Sequence, residues 1–145
     1  MLKTQVLLKG IALGFLSNWK YHRQVWKLLP EYPVYSPPFH SSEEVLSKRE
    51  IEANYDYFLE QKSFRLRSLT EFLASFSVEL VLSETALPSL DDWIFRYGGH
   101  LLPDGGEVTT AVNDYEPVWT SHFRGLNVIH DVSIFAGDYI VSKNP

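Results

Sequence analysis

The chain is 145 residues long, 45% hydrophobic and 21% charged, with a formal net charge of −5. These values describe one globular domain, residues 1–145, and exclude a largely disordered chain. Cysteine is absent, which excludes disulfide scaffolds, thiolate metal sites and cysteine nucleophiles, and fits a reducing cytoplasm better than secretion.

From Thr4 to about Leu29 the residues Leu8, Ile11, Phe15, Trp19 and Trp26 recur at three- and four-residue steps, predicting an amphipathic helix that ends before Pro30. No apolar run reaches the roughly 18 residues of a membrane span, since Lys9 interrupts the longest candidate. No small-residue cleavage site of the signal-peptide kind follows it. Residues 30–40 carry Pro30, Pro33, Pro37 and Pro38, which deny backbone donors and favour extended chain: a linker over the surface, or an arm laid on a partner.

Ser41-x-x-Glu44 and Ser47-x-x-Glu50 both have capping-box spacing, so a helix starts at one of them. Ile51, Tyr55, Phe58, Leu66, Leu69 and Phe72 or Leu73 continue a helical stripe with a polar interruption at Gln61 to Ser63, giving one long helix or two short ones. Val78 to Leu82 reads as an extended segment or strand. Pro88 and Ser89 open a third helix with Asp91 and Asp92 in its first turn, closed by Gly98-Gly99. Pro103-Asp104-Gly105-Gly106 is a turn signal, and a small hairpin between His100 and Val112 follows from the Val- and Thr-rich stretch after it. Gly125 to Ser142 is apolar on nearly every side, which predicts a helix in the middle of a bundle. The chain stops at Pro145, about one turn later, which reads as a natural end or as a fragment. The expected fold class is mainly α, a helical bundle with at most one small hairpin and α+β as the alternative.

The charge is segregated. Residues 1–30 hold five bases and no acid, residues 31–60 sum to −5, residues 78–118 to −7, and the last 27 residues to zero. The acidic middle argues against nucleic acid as a partner and for a basic protein.

No dinucleotide, phosphate-loop, zinc-protease, nucleophile-elbow or EF-hand motif occurs in the sequence. One local feature stands out, His130, Asp131 and Asp138 on the apolar last helix. The two aspartates are seven residues, or about 10.5 Å, apart on one face, too far for two ligands of one ion unless their side chains converge. A buried carboxylate must be paired, hydrogen-bonded or shifted in pKa. The structural expectation pairs Asp131 with Arg124, His122 or His130, and Asp138 with Arg65, Arg67 or Arg96. The catalytic alternative makes His130, Asp131 and Asp138 a general acid–base or metal-assisted hydrolytic set. His22, His40, His100, His122 and His130 lack the i, i+4 spacing of a helical zinc pair. A metal site from His100, His122, His130 and Asp131 requires tertiary convergence, and none is expected. Ser121 beside His122 is no nucleophile and base, since such pairs meet through the fold. Trp93, Tyr97, Tyr115, Glu116 and Trp119 form an aromatic, turn-rich candidate binding surface, with a plug over the core as the other reading.

The segments Leu90-Asp91-Asp92-Trp93, Tyr97-Gly98-Gly99 and Gly125 to Ile140, the last reading GLNVIHDVSIFAGDYI, together resemble small uncharacterised bacterial proteins that pair an LDxW helix with a late GLNVIxDxxIxxGxYI helix. The likeness spans roughly residues 42–142. In such proteins the late glycine is usually followed by Glu, where this chain has Asp138 after Gly137. The resemblance carries no activity and implies packing motifs. Proteins of this size and style are often immunity or accessory factors beside secreted toxins, which implies binding.

The leading expectation is therefore a non-enzymatic, cytoplasmic protein-interaction module without a cofactor, possessing an acidic 78–118 surface and an aromatic 115–119 loop. The alternatives are the carboxylate-helix enzyme and a peripheral membrane protein held by residues 4–29.

Overall fold

A computed structural model describes residues 16–102 and 119–145, and those residues form a mainly α helical bundle. Helix α1 covers residues 16–28. It buries Val25 and turns Lys20, Arg23 and Lys27 outward. Pro30 follows within a short 3-10 turn, Leu29–Glu31, as the sequence signal requires. The part of the expected first helix before residue 16 lies outside the described residues. Two long-range bonds fix α1: the Trp26 indole donates to the His100 carbonyl at 3.0 Å, and the Tyr97 hydroxyl donates to Gln24 at 2.9 Å.

The proline-rich arm lies along its own chain. Asn54 holds it by a two-way clasp, accepting from the Phe39 amide and donating to the Phe39 carbonyl, both at 3.0 Å. The Tyr35 ring also packs on Tyr57.

Helix α2, Lys48–Ala74, is one unbroken helix, and its start is the second of the two capping boxes: Ser47 accepts from the Glu50 amide while Glu50 accepts from the Ser47 amide. At about 40 Å, it is the longest described element. Its end is a Schellman-type closure with the Val78 amide on the Leu73 carbonyl and the Ser77 amide on the Ala74 carbonyl. Ser77 takes the left-handed position at φ 61° that glycine usually fills. Residues 78–82 then run without β pairing, so this segment is irregular chain rather than a strand.

Helix α3, Leu87–Tyr97, begins earlier than its sequence signals suggest. Pro88 is inside the first turn, so Asp91 and Asp92 fall in the second, and Asp92 pairs with Arg96 at 2.9 Å instead of facing the helix start. A 3-10 turn, Gly98–His100, continues from it. His100 therefore starts no hairpin, and the remainder of that expected hairpin falls on residues outside those described.

Helix α4, Gly125–Lys143, starts where expected. Gly125 is required there: a Cβ would lie 1.9 Å from the Leu101 carbonyl oxygen, so only glycine lets the helix start against that backbone. The expectation of burial on every side is corrected, because Ile140 and Val141 are exposed. The buried positions Val128, Asp131, Ile134 and Phe135 sit in the first two-thirds of α4, and its last turn is exposed, with Lys143 paired to Glu84 at 3.1 Å. The core joins Val25 and Leu29 to Leu69, Phe72 and Leu73 of α2, Leu90 and Trp93 of α3, and Val128 and Phe135 of α4.

Candidate functional site

Asp131 is fully buried where α2 meets α4. Its Oδ1 accepts from Arg65 Nε at 2.9 Å and faces His130 Nδ1 at 2.9 Å. Its Oδ2 accepts from the Tyr32 hydroxyl at 2.6 Å and lies 2.9 Å from Arg65 Nη2. The carboxylate is thus gripped by a two-pronged guanidinium and two further donors, filling its acceptor sites. Arg65, equally buried, spends its remaining donors on the Pro33 carbonyl at 2.6 Å and the Asn127 carbonyl at 3.4 Å. Asn127 extends the network by accepting from the Tyr35 amide at 2.8 Å and donating to the Trp119 and Arg124 carbonyls at 2.8 and 3.0 Å.

Four separate segments therefore converge on one polar knot: the arm, α2, the approach to α4, and α4 itself. Burial, then the adjacent Asp131 charge, pushes the Tyr32 hydroxyl far above the usual tyrosine range, so it stays a donor. Breaking such a cluster on one side strands a buried charge, and this makes it a lock on the arrangement of segments.

Of the three side chains bonded to the Asp131 carboxylate, His130 is the one that approaches the surface. Its ring stacks on Tyr35 at 4.3 Å, with Trp119 at 5.8 Å and the edge of Phe58 at 6.5 Å. A histidine oriented by an aspartate is the layout of a general base. Here the aspartate carboxylate is already paired with the Arg65 guanidinium at 2.9 Å.

The pairing expectations divide. Asp131 does meet His130, yet its main partner is Arg65, which the sequence reading assigned to Asp138; Arg124 and His122 make no ion pair with it among the described residues. Asp138 instead pairs with Lys62, and Arg96 is taken by Asp92. The two aspartates thus serve separate pairs. The histidines do not converge either: His100 lies beside His22, His122 stacks on Phe123, and His130 is at the knot. Among the described residues no group of three or more His, Asp or Glu side chains could hold a metal ion.

Of the candidate binding residues, Trp93 is 2% exposed, packed edge-to-face on Phe72 and Phe76, and cannot present its ring to a partner. Tyr97 is half-buried beside it, and Trp119 is half-buried over Tyr35 and His130. Tyr115 and Glu116 lie outside the described residues. What α3 does present is Phe95, 89% exposed, beside Ile94. At Ile94 a groove of about 340 Å³ runs between α3 and α4, lined also by Gly98, Gly99, Ile129, Val132 and Ser133 over the Trp93 floor. Asp91 and Asp92 are exposed on the same helix.

Sequence reasoning missed Arg65 as the organiser, together with Tyr32 and Asn127. The available signal was position: Arg65 lies four residues before Leu69, in the buried row of α2. No family model, curated protein or solved structure matches the chain.

Proposed function

We propose that the chain is a non-enzymatic protein-interaction module whose docking face is α3, with a basic protein as its partner. The observation that carries this reading is Phe95, a large ring left almost wholly in water next in sequence to Ile94, which itself lines an apolar groove. Burying such a ring gains roughly 1.5–3 kcal/mol, the size of contribution that marks an interface anchor. The exposed carboxylates of Glu79 and Asp91 favour a cationic surface opposite, while Asp92 is paired with Arg96. The polar knot supports the same reading from the other side, since its aspartate is neutralised and enclosed. Within it, an immunity or accessory role in a bacterial cytoplasm is the form suggested by the resemblance. No described helix is long and apolar enough to cross a membrane.

The test is affinity capture from the native host with the full chain, Phe95→Ser and Asp91→Lys/Asp92→Lys in parallel. A stoichiometric basic protein retained by the full chain and lost from both variants is the expected result. Retention by both variants removes α3 as the docking face.

A further inference from the structure

The outer faces of α1 and of the first half of α2 are complementary, and we propose that the chain self-associates by laying α1 of one copy on α2 of another. On α2, Ile51, Tyr55 and Leu59 are exposed at i, i+4 and i+8, a continuous row on one face. Glu52, Asp56 and Glu60 follow each by one residue and form a parallel acidic row, also exposed. Lys48 touches Glu52 only at 3.8 Å in full solvent, and Asp56 and Glu60 have no ion pair among the described residues.

On α1 the arrangement is the converse. Residues 16–28 contain no acid, and Leu16 and Trp19 are exposed beside Lys20, Arg23 and Lys27. Arg23 lies over the Trp19 ring at 5.3 Å, which holds apolar and cationic groups together on one surface. At 100° per residue these five positions lie opposite Val25 and Leu29, which enter the core. Among the described residues the basic face therefore points away from the core. Because α1 is held to the α3 end by the Trp26 and Tyr97 bonds, the complement of its basic face is supplied by a second copy. The acidic steps of four residues, about 6 Å, match the spacing of Lys20, Arg23 and Lys27 along α1. Short helical rows of this size give weak, concentration-dependent association that salt reduces. This contact uses residues other than the α3 face, so either proposal can fail without the other.

The experiment is sedimentation equilibrium of the full chain at low and high salt, over micromolar to millimolar concentration. Two charge-reversed variants accompany it, Asp56→Lys/Glu60→Lys and Lys20→Glu/Arg23→Glu, with Tyr55→Ser as a variant that leaves charge unchanged. All substitute exposed residues, and circular dichroism confirms folding. Expected is a mass rising above one chain, and dissociation about tenfold or more easier in each variant. Mixing the two reversed variants in equal amounts restores association, because the reversed, acidic α1 of one then faces the reversed, basic α2 of the other, and the intact α1 faces the intact α2. A monomer at every concentration, association unchanged by both reversals, or a mixture that stays monomeric overturns the proposal. So does a monomer whose only charge-dependent binding is to anionic vesicles through Lys20 and Arg23.

Discussion

The two halves of α2 carry the same apolar periodicity and meet opposite fates. From Arg65 onward the row Arg65, Leu69, Phe72 and Leu73 is buried by its neighbours, whereas Ile51, Tyr55 and Leu59 on the first half remain in water. The difference lies in what covers the helix. The second half is roofed by α1, α3 and α4, while among the described residues the first half meets the proline-rich arm along one side and His130 of α4 at Phe58. A helical stripe in a sequence thus reports an apolar row and leaves open whether it becomes core or docking surface.

The sharpest way to break this comparison is to strike the two halves separately. Arg65→Met or Asp131→Asn leaves the opposite charge buried without its partner and is expected to cost about 3–5 kcal/mol in denaturant unfolding. Arg65→Met combined with Asp131→Leu is expected to cost less than the sum of its parts, since no uncompensated charge remains. On the first half, Tyr55→Ser is expected to stay within about 0.5 kcal/mol of the parent. A loss at Tyr55 comparable to that at Arg65 would show that the first half is core after all.

Next in size is the cover itself. Gly125→Ala drives a methyl into the Leu101 carbonyl at the start of α4, with backbone on both sides of the clash. A loss of about 1–3 kcal/mol is expected, accompanied by chemical-shift changes around Arg65 and Asp131 and little change around Tyr55. Shifts confined to residues near Leu101 would mean that α4 is positioned by the knot and not by its first turn.

These contrasts explain what was legible in the sequence. The Ser47–Glu50 cap, the end of α1 before Pro30 and the start of α4 at Gly125 were readable because each depends on residues within one turn of each other. The start of α3 was misplaced because its cap, Ala86, offers no side-chain acceptor, so Pro88 and Ser89 attracted the assignment. The knot was half legible. An aspartate on an apolar helix announced that a partner was needed, and adjacent His130 was an available choice. Arg65 lies 66 positions away, and only its place four residues before Leu69 on the apolar row of α2 sets it apart from Arg67 or Arg96. For the same reason Trp93 seemed a surface anchor and proved a core ring, while exposed Phe95 two positions on was passed over.

A smaller effect tests the junction at which the buried half ends. Ser77 holds φ 61° at the closure of α2, a conformation that strains any residue with a Cβ. Ser77→Gly removes that strain at some entropic cost in the unfolded chain, for a net gain of roughly 0.5–1 kcal/mol. Thermal melts check the sign. A gain there with unchanged behaviour at Ile51 and Tyr55 would confirm that the junction belongs to the core half.

The smallest effect belongs to the exposed start of α2. The Ser47 amide, and then its hydroxyl, hold the Glu50 carboxyl below the usual glutamate value. A carboxyl depressed in the folded state stabilises it above the unfolded pKa, and that contribution is lost as pH falls through the folded one. Acidification below about pH 4 therefore opens the capping box, and the first turn of α2 frays while the rows around Leu69 keep their protection. The protection of the Ile51, Glu52 and Ala53 amides, measured against their intrinsic exchange rates at each pH, is expected to fall in acid in the parent protein. In Ser47→Ala the same amides are expected to have low protection already and to respond less. An equal fall at Leu69 and Leu73 would mean that the two halves of α2 open as one unit, contrary to their unequal cover.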